Sequence, residues 1–139
     1  MKQKKGQMNI SFGMIFSIIL IIVFLGFAFL AIQKFLGFQN DVTEKKFYDE
    51  LSQDVNQVWT STKASKEVEY IIPRGITQVC FKNDPFKNVY LFSDKPSLGE
   101  TIDHLNITKI ICIDTINGKV NFLLEKSYGE NFVEVNEIK

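Results

Sequence analysis

The chain has 139 residues, 16 basic and 16 acidic side chains, one histidine and two cysteines, and 45% of it is hydrophobic. The charge is unevenly placed: residues 1–34 hold four lysines and no acid, and the remainder holds 12 basic against 16 acidic residues. A nucleic-acid binder puts its positive charge on the folded part, so nucleic acid is excluded as the expected partner, and the length admits one domain beside an apolar segment.

That segment comes first. From Gly6 to Gln33 the chain has 28 residues without a charge, which as a helix span about 42 Å at 1.5 Å per residue. A hydrocarbon core is about 30 Å thick, so the segment crosses with tilt or continues beyond the lipid. A secretory signal has an apolar core of about 7–15 residues before a small-residue cleavage site. Gly26-Phe27-Ala28 is a site of that kind, yet "FLAI" keeps the chain apolar afterwards. Retention as a signal anchor is therefore expected. Lys2, Lys4 and Lys5 precede the span and mixed charges follow it, so the positive-inside bias leaves the amino terminus in the cytoplasm. The expected layout is a cytoplasmic basic tail over 1–7, a transmembrane helix over 8–36 and an extracytoplasmic head over 38–139. Gly13 and Ser17 stand at small-xxx-small spacing, but isolated small residues are frequent in membrane helices.

The boundary "KKGQ" ahead of an apolar helix resembles the processing site of archaeal type IV pilin-like proteins, the class III signal peptide group. The resemblance covers about 30 residues and implies cleavage between Gly6 and Gln7 by a dedicated membrane peptidase. It further implies an apolar helix kept as a polymerisation stem, a β-rich head, and other membrane or pilus-like subunits as partners. One position departs from it. Family members usually carry Glu at the fifth place after the cut, and here that place is Ser11. A carboxylate in the membrane is costly unless paired, so its absence argues against a major filament subunit. A minor pilin-like or pseudopilin-like subunit and a plain anchored protein both remain open.

Past Gln39 the pattern becomes amphipathic. Phe47, Leu51, Val55, Val58 and Trp59 fall on one helical stripe, opposite Lys45, Lys46, Asp49, Glu50, Asp54 and Asn56. Gly37 and Asn40-Asp41, with Glu44, mark a kink or a fresh N-cap, and two to three further turns of helix are expected. Strands follow as "EVEYII" and "ITQVCFK" around the turn "PRG", then "NVYLFS", then "TKIICIDTI" and "KVNFLLEK" around Asn117-Gly118, and finally "FVEV". Asn-Gly suits the positive φ of a type I′ hairpin turn. Between Ser93 and Asn106 an irregular loop is expected, long enough to be functional. The predicted fold class is α+β: the long N-terminal helix runs into an amphipathic helix packed on one small, mainly antiparallel sheet.

Cys80 and Cys112 have two leading readings, ahead of a catalytic thiol that only His104 could activate and that no surrounding motif supports. Both lie on the more polar side of their strands, and an oxidising compartment permits a disulfide; alternatively, both are buried free thiols. His104, with Asp94, Glu100 and Asp103 nearby, lacks the spacing of a metal site and reads as an exposed loop histidine. No catalytic, cofactor or metal motif is present. Asn106-Ile107-Thr108 is an N-glycosylation sequon on the outer side; Asn9-Ile10-Ser11 matches too but lies toward the cytoplasm. The sequence thus predicts a non-enzymatic, cofactor-free, single-pass membrane protein with the lipid bilayer as its first partner. Its head serves as a structural or interaction module, or binds a ligand or a membrane-complex partner. An envelope enzyme using the 94–106 loop is the third possibility.

Overall fold

One helix, α1 (Phe12–Trp59), precedes seven strands: β1 (Ala64–Ile71), β2 (Gln78–Phe81), β3 (Val89–Phe92), β4 (Leu105–Asn106), β5 (Ile111–Asp114), β6 (Lys119–Lys126) and β7 (Val133–Glu137). They are seen in a computed structural model that describes residues 11–94 and 99–138. The basic tail, the Gly6-Gln7 cleavage site, the start of the expected span, Asn9 and Pro96 lie outside the described residues. The chain divides into two units, Met1–Phe38 and Gln39–Lys139, described here in turn.

In the first unit the described part of α1 is exposed throughout. Its first turn closes on the Ser11 carbonyl, which accepts from the Met14 amide at 2.8 Å. The Ser17 hydroxyl donates to the Gly13 carbonyl at 2.7 Å, so this polar group is satisfied inside the helix, as an apolar surround requires. Neither Gly37 nor Asn40-Asp41 interrupts α1, so the alternative of a fresh N-cap at Asn40-Asp41 does not hold. A glycine inside a helix costs about 1 kcal/mol relative to alanine, too little to break a long run of hydrogen-bonded turns without a proline.

In the second unit α1 continues to Trp59, about five turns beyond Asn40 and longer than the two to three expected. Phe47, Tyr48, Leu51, Val55 and Val58 are buried from this stretch, and Trp59 is half-buried. Asp54 departs from the predicted solvated face. Its carboxylate accepts from Tyr70 Oη at 2.6 Å and from Lys66 Nζ at 2.7 Å, and Lys66 also reaches Gln57 Oε1 at 2.7 Å. Hydrogen-bonded on both oxygens, a half-buried carboxylate is tolerated beside the core.

The strands form two sheets where one was expected. The first has four strands in the order β1-β6-β7-β4, and the second has three in the order β3-β2-β5. All pairs are antiparallel except β4 with β7. "PRG" does turn the chain, with Gly75 at φ 88°, but it links the sheets: β1 pairs with β6, and β2 pairs with β3 and β5. Asn117 (φ 53°) and Gly118 (φ 73°) make the expected tight turn, closed by Ile116 and Lys119 exchanging both backbone bonds. The strands on either side of it also go to different sheets. Inward residues of both sheets and the helix stripe share one core. Phe47 meets Tyr70 edge-on at 5.5 Å between ring centroids, and Phe81 of β2 meets Phe122 of β6 at 5.2 Å.

The expected irregular loop is ordered at its far end. Glu100 exchanges backbone bonds with Val89, and the Asn88 side chain donates to the Ile102 carbonyl at 2.7 Å and accepts from its amide at 2.8 Å. One asparagine thus stands in for a strand neighbour and seals the edge of β3. Period-two reading misses such pairing because it does not require alternating side chains.

Two outcomes follow from this packing. A Cβ at Gly99 (φ 62°) would sit 2.8 Å from the Val89 carbonyl oxygen and 2.6 Å from the Tyr90 ring. Gly99→Ala is expected to lower stability by about 2–3 kcal/mol through strain and overpacking, measured by denaturant unfolding. Burial first, and the Asp54 hydrogen bond second, push the Tyr70 phenol well above its ordinary range. Its stabilising contribution is complete below the unfolded value near 10 and is lost as pH rises above it. Tyr70→Phe should cost about 1 kcal/mol at neutral pH and flatten the decline of stability above pH 10, followed by circular dichroism.

Candidate functional site

Two surfaces are candidates: the apolar stem of the first unit and the polar features of the second. Along the stem, charge is absent from Ser11 to Gln33, and large apolar side chains point to every side, since the consecutive residues Ile18 to Leu25 are all exposed. By length and composition, α1 is the one described helix able to cross a membrane. A helix apolar all round is the signature of immersion rather than of a core stripe.

In the second unit, Cys80 and Cys112 form a disulfide. They are direct partners across β2 and β5, with Cα atoms 4.0 Å apart. Both lie opposite the core side, since the alternating residues Val79, Phe81 and Ile113 are the ones in the core. Cys80 is nonetheless buried because β2 is central and Tyr90 and Cys112 flank it. Cys112 on the outer strand stays exposed. Bonded cysteines are neither free nucleophiles nor metal ligands.

His104 is half-buried, contrary to the exposed loop residue expected. Its ring stacks on Trp59 with centroids 3.7 Å apart and planes 8° apart, and its backbone adopts φ 68°. The Trp59 indole N–H donates to the Asn131 carbonyl at 2.9 Å, and the Lys126 ammonium donates to the Trp59 carbonyl. Val133 donates to the His104 carbonyl at 2.8 Å. Four segments therefore meet at the end of α1, and His104 holds one corner of the junction. Sequence reading placed Trp59 on the apolar stripe and missed this role. The signal that could have found it is the pairing of a lone Trp at a helix end with a lone His.

Asp103 is exposed, and Glu100 is held by its backbone against Val89. Among the described residues no three His, Cys, Asp or Glu side chains converge to hold a metal. Asn106 is half-buried in β4 and Thr108 is exposed, so the sequon starts in a short strand. Asp84 accepts from the Phe86 amide at 2.9 Å and from Tyr90 Oη at 3.0 Å. These bonds, the amide first, hold its carboxyl below the usual range. On the outer face of the first sheet, Lys119 bonds Glu69 at 2.7 Å and holds that carboxyl low as well.

Comparison with known protein families, curated proteins and solved structures returned no match.

The disulfide closes a loop with a sequence separation of 32, for which chain-entropy reasoning gives roughly 3–4 kcal/mol. Replacing both cysteines by alanine is expected to remove about that much, with unfolding of the oxidised parent and the variant as the measurement. A reductant should destabilise the parent and leave the variant unchanged.

Proposed function

We propose that this chain is a single-pass, membrane-anchored structural and interaction protein. Its head stands outside the cell membrane and its amino terminus in the cytoplasm. The observation that carries this reading is the stem: an uncharged helical run, apolar on all sides, longer than a hydrocarbon core is thick. Lysines before the span and mixed charges after it support the orientation. The disulfide supports an oxidising surround for the head. In this reading the head contributes contacts rather than catalysis.

Within that role the leading assignment is a minor pilin-like or pseudopilin-like subunit, processed between Gly6 and Gln7. It is supported by the "KKGQ" boundary and by an α+β head that follows a long helix. Ser11, standing where a filament carboxylate is usual, favours a second reading: an unprocessed signal-anchored protein whose head binds a ligand or a membrane-complex partner.

Intact mass of the protein purified from native membranes separates the two. Loss of residues 1–6 is expected under the first reading, and a full-length amino terminus overturns it in favour of the second. In either case the protein should stay with the lipid after an alkaline carbonate wash, and proteases added outside intact cells should remove the head. Release by the wash, or a head shielded from those proteases, would defeat both.

A further inference from the structure

The two sheets have edges, and most of them are closed. On the long edge strand β1, Lys66 points inward, bound to Asp54 and Gln57, a charge that discourages another strand from docking. The edge of β3 is covered by Glu100 and by the Asn88–Ile102 bonds. β4 has two residues. β5 is different. It pairs with β2 on one side and with no described strand on the other. Across from it β7 pairs with β4 at Val133 and Glu134 alone, so from Val135 onward its second edge is also open. Between these edges lies a groove of about 540 Å³ lined by residues 106–112 and 134–137. A second hollow of about 640 Å³ shares Cys112 and Glu137 with it and extends toward β1.

The lining has a sign. Glu67, Glu69, Asp114, Glu134 and Glu137 border the two hollows, against Lys109 and Lys119. Lys119 is already engaged by Glu69. The head as a whole exceeds neutrality by four negative charges, 16 acidic residues against 12 basic, and three of those four are concentrated here. Ile110 and Ile116 stand at the rims, 67% and 72% exposed.

We propose that this groove receives an extended, lysine- or arginine-rich segment of a second protein, added as a strand along β5. The incoming backbone bonds the open edge, alternate side chains rest on the isoleucines, and the cations face Glu134 and Glu137 of the groove and Glu67 and Asp114 of the adjoining hollow, Glu69 being already paired with Lys119. A second copy of this chain fits poorly, since pairing through β5 would set the same acidic borders against each other. An anionic lipid surface is repelled for the same reason. The proposal deepens the partner-holding role given above and rests on that role for its setting. The groove itself lies wholly within the second unit.

The test uses the full chain in detergent micelles with three synthetic ten-residue peptides. One alternates Lys and Val, one alternates Glu and Val, and one is the Lys–Val peptide N-methylated at every Val. Amide hydrogen exchange is followed residue by residue. The lysine peptide is expected to slow exchange at least tenfold at those β5 amides that face away from β2, less so as salt is added. The glutamate and N-methylated peptides should do nothing. Glu134→Lys combined with Glu137→Lys, both on the exposed border, should weaken the lysine peptide at least tenfold. The proposal is overturned by no slowing, by equal slowing with either control, by slowing confined to β1, or by unchanged affinity in the double variant. Self-association that protects the same amides without peptide would assign the groove to a second copy and overturn it too. The experiment is done in micelles, so its failure leaves the mass and membrane tests of the anchor standing.

Discussion

The protein is governed by where its apolar surface can go. Between Phe12 and Phe38, 19 large apolar side chains are exposed. At about 1.5–3 kcal/mol for each side chain that could be buried and is not, leaving them in water costs tens of kcal/mol. A domain's whole net stability is about 5–15 kcal/mol. The net stability of a small head is too little to offset that, which favours a non-aqueous surround for the stem. The second unit meets the same demand differently. Its helix offers one stripe, Phe47 to Val58, and two sheets close over it. One chain thus has two treatments of hydrophobicity, all round in the first unit and one-sided in the second. That contrast is the ground for reading the stem as an anchor and the head as a water-facing domain.

A head of this size has little core to spare, and it is reinforced by short, well-placed polar connections. Asp54 joins α1 to β1 through Tyr70 and Lys66. Asn88 secures the 99–102 segment to β3, and Lys126, Trp59, Asn131 and His104 bind the end of α1 to the strands around it. The part-buried ones, at Asp54, at Ile102 and at the Trp59 carbonyl, use a carboxylate or a backbone group at the margin of the core, where an unsatisfied group costs about 1–3 kcal/mol. The disulfide does parallel work on the unfolded chain by tying β5, which has one described strand partner, to the centre of its sheet.

The elements legible in the sequence were those specified locally. The uncharged run declared the stem, the 3.6-residue stripe declared the second half of α1, and Asn117-Gly118 declared its turn because two consecutive positive φ values demand such residues. The class, α+β, followed from the order of elements. What was not legible depends on partners distant in sequence. Nothing in "EVEYII" says that it pairs with β6 rather than with the strand after "PRG", because strand choice is set by which inward faces complete the core. Nothing in "TIDHLN" announces the Trp59 stack, and a two-residue strand such as β4 is too short to show a period. The cysteine pair lay between these cases. Alternation placed both residues on the same kind of face, but only the β2–β5 register makes them direct neighbours.

The proposed division of labour rests on the chemistry of the two surfaces. Contact with hydrocarbon discriminates little between one apolar neighbour and another, and the hydroxyl of Ser17 is already bonded to the Gly13 carbonyl. From Ser11 to Gln33 the stem carries no charge. Directional groups lie instead in the second unit, where open strand edges and carboxylates border the two adjoining hollows. Hydrogen-bonding edges set the orientation of an incoming chain, and like-charge repulsion rejects wrong ones. Under the proposed reading, fixing position falls to the stem and selection to the head, and the sequence separates the two segments where its charges resume at Lys34.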